Sequence, residues 1–251
     1  MVVAYPRVGG SMSDDDSRIP TFVEGLDEQM QGGIPKGHIV LVAGSSGTMK
    51  SSMTFATLYN GVLNGDTSGI YVTLEQGKDS LRSHMAGMGM NVDDPRVRNR
   101  IAIIDLADLR VQLDEQGMAG KVDWMGQLIK QLTNYRESIG FEILIFDSLG
   151  AFFTLTKMEN PRDEIFRLYE AVRRLGLTAF FICEMMGEDH KQFGDYGVED
   201  YLSDGVMHIV MDRDGDDVKR KMAIVKMRHT NHMLGYKPFS WKGNENRFTI
   251  L

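Results

Sequence analysis

Residues 38 to 52 read His-Ile-Val-Leu-Val-Ala-Gly-Ser-Ser-Gly-Thr-Met-Lys-Ser-Ser, and they constrain the fold more than any other stretch. An apolar run of strand length, Ile39 to Ala43, enters a Gly-rich turn, and the turn opens a helical pattern at Lys50. A turn of this kind aims backbone N–H groups at an anion, a lysine reaches the outer phosphates, and the next hydroxyl holds Mg²⁺. Gly44, Ser45, Ser46, Gly47, Thr48, Met49, Lys50, Ser51 and Ser52 are therefore the expected phosphate-binding residues, with Lys50 also a catalytic cation and Ser51 also a metal ligand. The pattern G-x-x-x-x-G-K-[ST] is broken once, because Met49 stands where glycine is expected. If that position needs φ > 0, a methionine costs on the order of 1 kcal/mol; at negative φ it is tolerated. Retention of the other phosphate-site residues favours tolerance.

Beyond the loop, apolar runs of strand length alternate with amphipathic helical patterns. Strands are expected at Ile70 to Leu74, Arg100 to Leu106, Glu142 to Ser148 and Thr178 to Glu184. Helices are expected from Ser52 to Leu63, Lys78 to Met88, Val122 to Ser138 and Pro161 to Leu175, with a short one at Gly25 to Met30. Ala107 to Gly120 reads as loop with at most a short helix. Continuous apolar strands separated by helices mean a largely parallel sheet covered on both faces. From Gly205 the pattern changes to strands separated by turns such as Asp214-Gly-Asp and Lys242-Gly-Asn, so antiparallel strands are expected to extend one side of the sheet. At 251 residues one core suffices, so residues 19–251 are expected to form one α/β domain, preceded by a flexible arm at residues 1–18.

Two carboxylates fall at carboxyl ends of strands, where open α/β sheets bind ligands. Asp147 ends the run Ile143-Leu-Ile-Phe and is a candidate Mg²⁺ ligand opposite Ser51; Glu75 follows Ile70 to Leu74 and is a candidate to orient or deprotonate an attacking water. Lys226 and Arg228, one residue apart in a strand-like run, project on one face, which suits either a phosphate clamp or a solvated surface. The formal net charge of −7 opposes general attraction to nucleic acid or an anionic membrane. The loop Glu184 to Asp204 carries seven carboxylates against Lys191 alone, which argues further against a nucleic-acid interface. A single cysteine, Cys183, and the absence of any long apolar run point to a cytoplasmic protein.

Taken together, the order of parts resembles the KaiC-like branch of the RecA-type ATPases. The resemblance runs from Ile19 onward and rests on the lead-in Gly25-Leu-Asp to Gly32-Gly-Ile-Pro-Lys-Gly, the strand end Tyr71-Val-Thr-Leu-Glu, Ile145-Phe-Asp-Ser-Leu, Glu199-Asp-Tyr-Leu-Ser-Asp-Gly-Val and Val225-Lys-Met-Arg-His-Thr-Asn-His. It implies a RecA-like P-loop fold, ATP with Mg²⁺ bound between the subunits of a ring, usually a hexamer, and Lys226 and Arg228 reaching a neighbour's nucleotide. The family usually has two adjacent glutamates where this chain has Glu75-Gln76, so slow hydrolysis is expected. A nucleotide-sensing assembly switch with little turnover is the alternative, and autokinase or DNA-binding activity the more distant ones.

Overall fold

In a computed structural model the described residues are 17–65, 67–115, 122–156, 160–185, 192–194 and 196–250, so most of the expected N-terminal arm lies outside them. The chain opens with β1 (Arg18–Ile19), a 3₁₀ turn at Glu28–Met30 and β2 (Ile34–Pro35), paired antiparallel as a small ribbon. The helix expected at Gly25 to Met30 is thus only this one turn, ended by Gln31 at φ 59°.

β3 (Ile39–Gly44) leads into α1 (Lys50–Asn64), followed by β4 (Gly69–Thr73), α2 (Lys78–Gly87), β5 (Ile101–Asp105), α3 (Leu106–Glu115), α4 (Trp124–Ile139) and β6 (Ile143–Asp147). Then come α5 (Leu149–Thr156), α6 (Pro161–Arg174), β7 (Thr178–Glu184), the single turn α7 (Glu199–Leu202) and β8 (Gly205–Asp214). β9 (Asp217–Met227), β10 (Lys237–Lys242) and β11 (Arg247–Ile250) close the chain. The sheet order is β11-β10-β9-β8-β3-β7-β6-β4-β5, with β8 through β5 parallel and β9, β10 and β11 added antiparallel. The short helix allowed for within the loop reading of Ala107 to Gly120 is α3, which covers residues 106–115, and α5 lies where no element was expected, although Leu149, Phe152 and Phe153 bury one face at helical spacing.

Strand alternation explains the layers. Val40, Val42, Ile143, Ile145, Phe180 and Ile182 point into a core shared with α1 and α2, while Leu41, Leu144, Phe146, Ala179 and Phe181 point into a second core under α4, α5 and α6. Both faces of the central strands are consumed by packing. Chemistry is left to their carboxyl ends, where β3, β4, β6 and β7 stop side by side.

Candidate active site

The turn between β3 and α1 is built around what it excludes. A Cβ at Gly44 would stand 2.3 Å from the Ile209 carbonyl oxygen of β8, so only glycine lets the two strands run this close. Gly47 is at φ +80°, and the Met49 that follows is also left-handed, at φ 72°, ψ 26°. The tolerance expected for Met49 through a negative φ is therefore corrected: the glycine position does use the left-handed region, and the methionine occupies it. Met49 is half-buried and packs against the α1 face of the core, which offsets part of the backbone cost. Met49→Gly should accordingly change stability by less than about 1 kcal/mol, whereas Met49→Val, β-branched in the same conformation, should lose about 2 kcal/mol or more, read from thermal unfolding of the two variants.

Ser45, Ser46 and Gly47 form the exposed rim of the turn, while Thr48 and Ser52 are buried beneath it, Thr48 donating to the Ser45 carbonyl at 2.8 Å. Lys50 is only 5% exposed and its ammonium donates to the carbonyls of Gly44 and Ser45, each at 2.8 Å, with the Glu184 carboxylate at 3.8 Å. Burial pulls its pKa down, against the pull of Glu184, Asp147 and Glu75. A desolvated cation satisfied by two carbonyls of its own loop can exchange them for phosphate oxygens at small cost.

Asp147 ends β6, where the Ser51 hydroxyl acts on its carboxylate. Burial pushes the Asp147 carboxyl up; the hydroxyls of Tyr71 and Ser51, both on its carboxylate, work in the other direction. Serine hydroxyl plus a single carboxylate is a hard-oxygen donor pair, the set that suits Mg²⁺ completed by phosphate and water rather than an all-protein cage. Among the described residues no group of three or more His, Cys, Asp or Glu gathers to form such a cage.

Glu75 lies two residues past the end of β4, and Leu74 N–H donates to the Asp147 carbonyl at 2.8 Å, which keeps the segment at the same edge. The Ser148 hydroxyl donates to Glu75 Oε1, joining the carboxylate to the residue after Asp147; the Asp147–Ser148 peptide is cis. Gln76 is turned away, its amide donating to Ser80 Oγ at 2.9 Å. Lys50, Ser51, Asp147 and Glu75 thus converge at one edge of the sheet.

Lys226 and Arg228 do not join them. Val206 pairs with Leu41 on one side and Lys226 on the other, three residues or about 10 Å back along β3 from Gly44. A bulge at Val206/Met207 makes Val225 the extra residue, after which both cations reach the segment Asp200 to Asp204. Lys226 Nζ donates to the carbonyls of Asp200 and Ser203 at 2.8 and 2.7 Å, and Arg228 pairs with Asp204 at 2.9 Å. Burial, then Arg228, lowers the Lys226 pKa. Burial also opposes ionisation of Asp204, but the Ile39 amide, Arg173 and Arg228 outweigh it and hold its pKa below the ordinary value.

Three contributors escaped the sequence reading. Arg220 of β9 donates from Nε to the Gly47 carbonyl at 3.0 Å, a contact that depends on hairpin register. Tyr71 and Ser148 hold the two carboxylates. Ser148 could have been found from its place directly after a strand-ending aspartate; Tyr71 looked like one more apolar strand residue.

Among curated proteins the chain is 30% identical to the circadian clock oscillator protein KaiC of Parasynechococcus marenigrum over 242 residues, 94% of this chain and 45% of that one. It is equally identical to the circadian clock protein KaiC3 of Synechocystis over 230 residues, 91% of this chain and 44% of that protein. The chain therefore spans less than half the length of these relatives. Among solved structures, a KaiC-like protein from the hyperthermophilic archaeon Pyrococcus horikoshii superposes with a TM-score of 0.78 at 24% identity, covering 94% of this chain and 99% of that one, which extends the likeness of fold to the whole of the archaeal chain. The family model "ATPase: KaiC" matches residues 19–245, and with that match the chain belongs to the KaiC ATPase family.

Proposed function

We propose that the protein is an ATP-binding regulatory ATPase that works as a ring, with each nucleotide held between two subunits and hydrolysed slowly. The observation that carries this reading is the split of the site: Lys50, Ser51, Asp147 and Glu75 converge at the carboxyl edge, while Lys226 and Arg228 lie about 10 Å back on the other side of β8. Cations placed there cannot serve the loop of their own chain, and a head-to-tail ring sets such a surface against the next loop. A hexamer is the subunit number the family resemblance implies, and the cytoplasm the compartment; among the described residues no helix is long and apolar enough to cross a membrane.

In this reading the loop amides and Lys50 bind and neutralise the phosphates, Ser51 and Asp147 hold Mg²⁺, and Glu75 orients the attacking water or accepts its proton. Mg²⁺, when bound, would add positive charge against the phosphate oxygens. Glu75 is exposed, and the hydroxyl of Ser148 donates to its carboxylate. Glu75→Gln should retain nucleotide binding within about threefold while phosphate release falls on the order of 100-fold, measured by filter binding beside a phosphate assay. Equal turnover in the variant would remove Glu75 from the chemistry.

A second reading, ATP-driven assembly with little turnover, is favoured by the engagement of Lys226 and Arg228 with Asp200, Ser203 and Asp204 of their own chain. Exchange of these partners for a neighbour's nucleotide would couple assembly to ATP. Light scattering with and without ATP, set beside phosphate release, separates the two: assembly without multiple turnover supports the switch.

A further inference from the structure

We infer that Tyr71 is a positioning residue for the divalent cation, its buried hydroxyl fixing the Asp147 carboxylate and thereby setting the affinity of the site for Mg²⁺. This rests on the reading of the loop as a Mg²⁺-nucleotide site. Tyr71 sits in β4 at 0% exposure, with its ring 5.6 Å from that of Phe55 in the core shared with α1. Packing accounts for the ring. It does not account for the hydroxyl, which a phenylalanine would lack at no cost to the core. A phenol at zero exposure must place its proton on a neighbour, and here the acceptor is Asp147 Oδ2. The Ser51 hydroxyl acts on both the phenol and the Asp147 carboxylate, so the two proposed metal ligands and Tyr71 are neighbours.

The geometry has a direct consequence for a metal. The terminal torsion of an aspartate is broad, so nothing intrinsic fixes the plane of the Asp147 carboxylate. The phenol bond does so by committing one oxygen and aiming the other. Mg²⁺ demands near-ideal octahedral geometry and tolerates misaligned ligands poorly. Groups that hydrogen-bond to metal ligands without touching the metal typically change its affinity by about 10- to 100-fold. The effect should therefore fall on the metal and spare the nucleotide, whose phosphates are held by Lys50 and the loop.

The test uses the full chain carrying Tyr71→Phe, with Mn²⁺ as a spin-active probe titrated in the presence of ADP and followed by electron paramagnetic resonance. ADP binding is measured separately in EDTA. The expected result is a folded variant whose metal-free ADP affinity stays within about twofold and whose Mn²⁺ affinity falls about tenfold. Phe55→Leu, which disturbs the packing around the ring but keeps the hydroxyl, should leave Mn²⁺ affinity unchanged. Unchanged Mn²⁺ affinity in Tyr71→Phe, an equal loss in Phe55→Leu, or a failure of Tyr71→Phe to fold would each overturn the proposal and leave Tyr71 a core residue. Wild-type protein that binds no ADP at all would instead overturn the nucleotide reading beneath it.

Discussion

Lys50→Ala should abolish turnover and weaken nucleotide affinity on the order of 100-fold, while the protein stays folded with a melting temperature within a few degrees of wild type. The two halves of this result have separate causes. Lys50 is buried under the turn, and its ammonium stands on the Gly44 and Ser45 carbonyls, where the outer phosphates of a bound nucleotide would draw it away. Its loss removes a charge-assisted contact in a desolvated site, the kind worth most to binding. The fold depends on it less. The Gly44 carbonyl also accepts from Met185 N–H at 3.1 Å, so it keeps a partner, and removal of a cation whose burial already lowers its pKa relieves a desolvation cost. Isothermal titration with ATP, phosphate release and thermal unfolding of the same preparation check all three statements. Retained nucleotide affinity in a folded variant would mean that the loop does not bind phosphate.

The central architecture was legible because it is written in periodicity. Five parallel strands appear as continuous apolar runs, and Gly44, Lys50, Ser51 and Asp147 follow from strand ends and turn chemistry that need no long-range knowledge. What failed did so for local or register reasons. The helix at 106–115 exposes Val111 beside Asp108, Arg110 and Gln112, so it shows little of the contrast by which a surface helix is recognised. α5 sits immediately after β6 and contains few polar residues, and its Leu149-Gly-Ala-Phe-Phe start reads as a continuation of the strand. The Met49 conformation follows from the closure of the loop between β3 and α1 and could not be chosen from composition. Arg220 and Tyr71 became visible only once the assembled sheet brought the Arg220 side chain to the Gly47 carbonyl and the Tyr71 hydroxyl to Asp147. The Lys226/Arg228 spacing says nothing of the Asp200 to Asp204 segment that both reach, and only the sheet order reveals that this segment lies away from their own loop.

That separation gives the second large effect. Arg228→Ala should lower turnover by about 10³, the scale of a cation that stabilises transferring phosphate from another subunit, while each chain keeps an intact loop. Folding should survive, because the Asp204 carboxylate retains Arg173 at 3.2 Å and the Ile39 N–H at 3.0 Å after its Arg228 partner is gone. A complementation experiment decides between a site within one chain and a site between chains. Lys50→Ala has a dead loop and an intact Arg228; Arg228→Ala has the reverse. If each nucleotide is served by its own chain, a mixture of the two is as inactive as either alone, since every chain lacks one part. If the cations act on the neighbour, subunits exchanged at random around a ring pair an intact loop with an intact Arg228 at about one interface in four, and phosphate release should recover toward that fraction of wild type. The double variant Lys50→Ala/Arg228→Ala mixed with either single variant forms no such interface when partnered with Lys50→Ala, so it should restore nothing there. Mixed with Arg228→Ala it also restores nothing, because every Arg228 in that mixture is gone. Recovery confined to the one complementary pair would locate the nucleotide between subunits, and its absence in rings shown by light scattering to have exchanged would overturn the shared site and leave each nucleotide to its own chain.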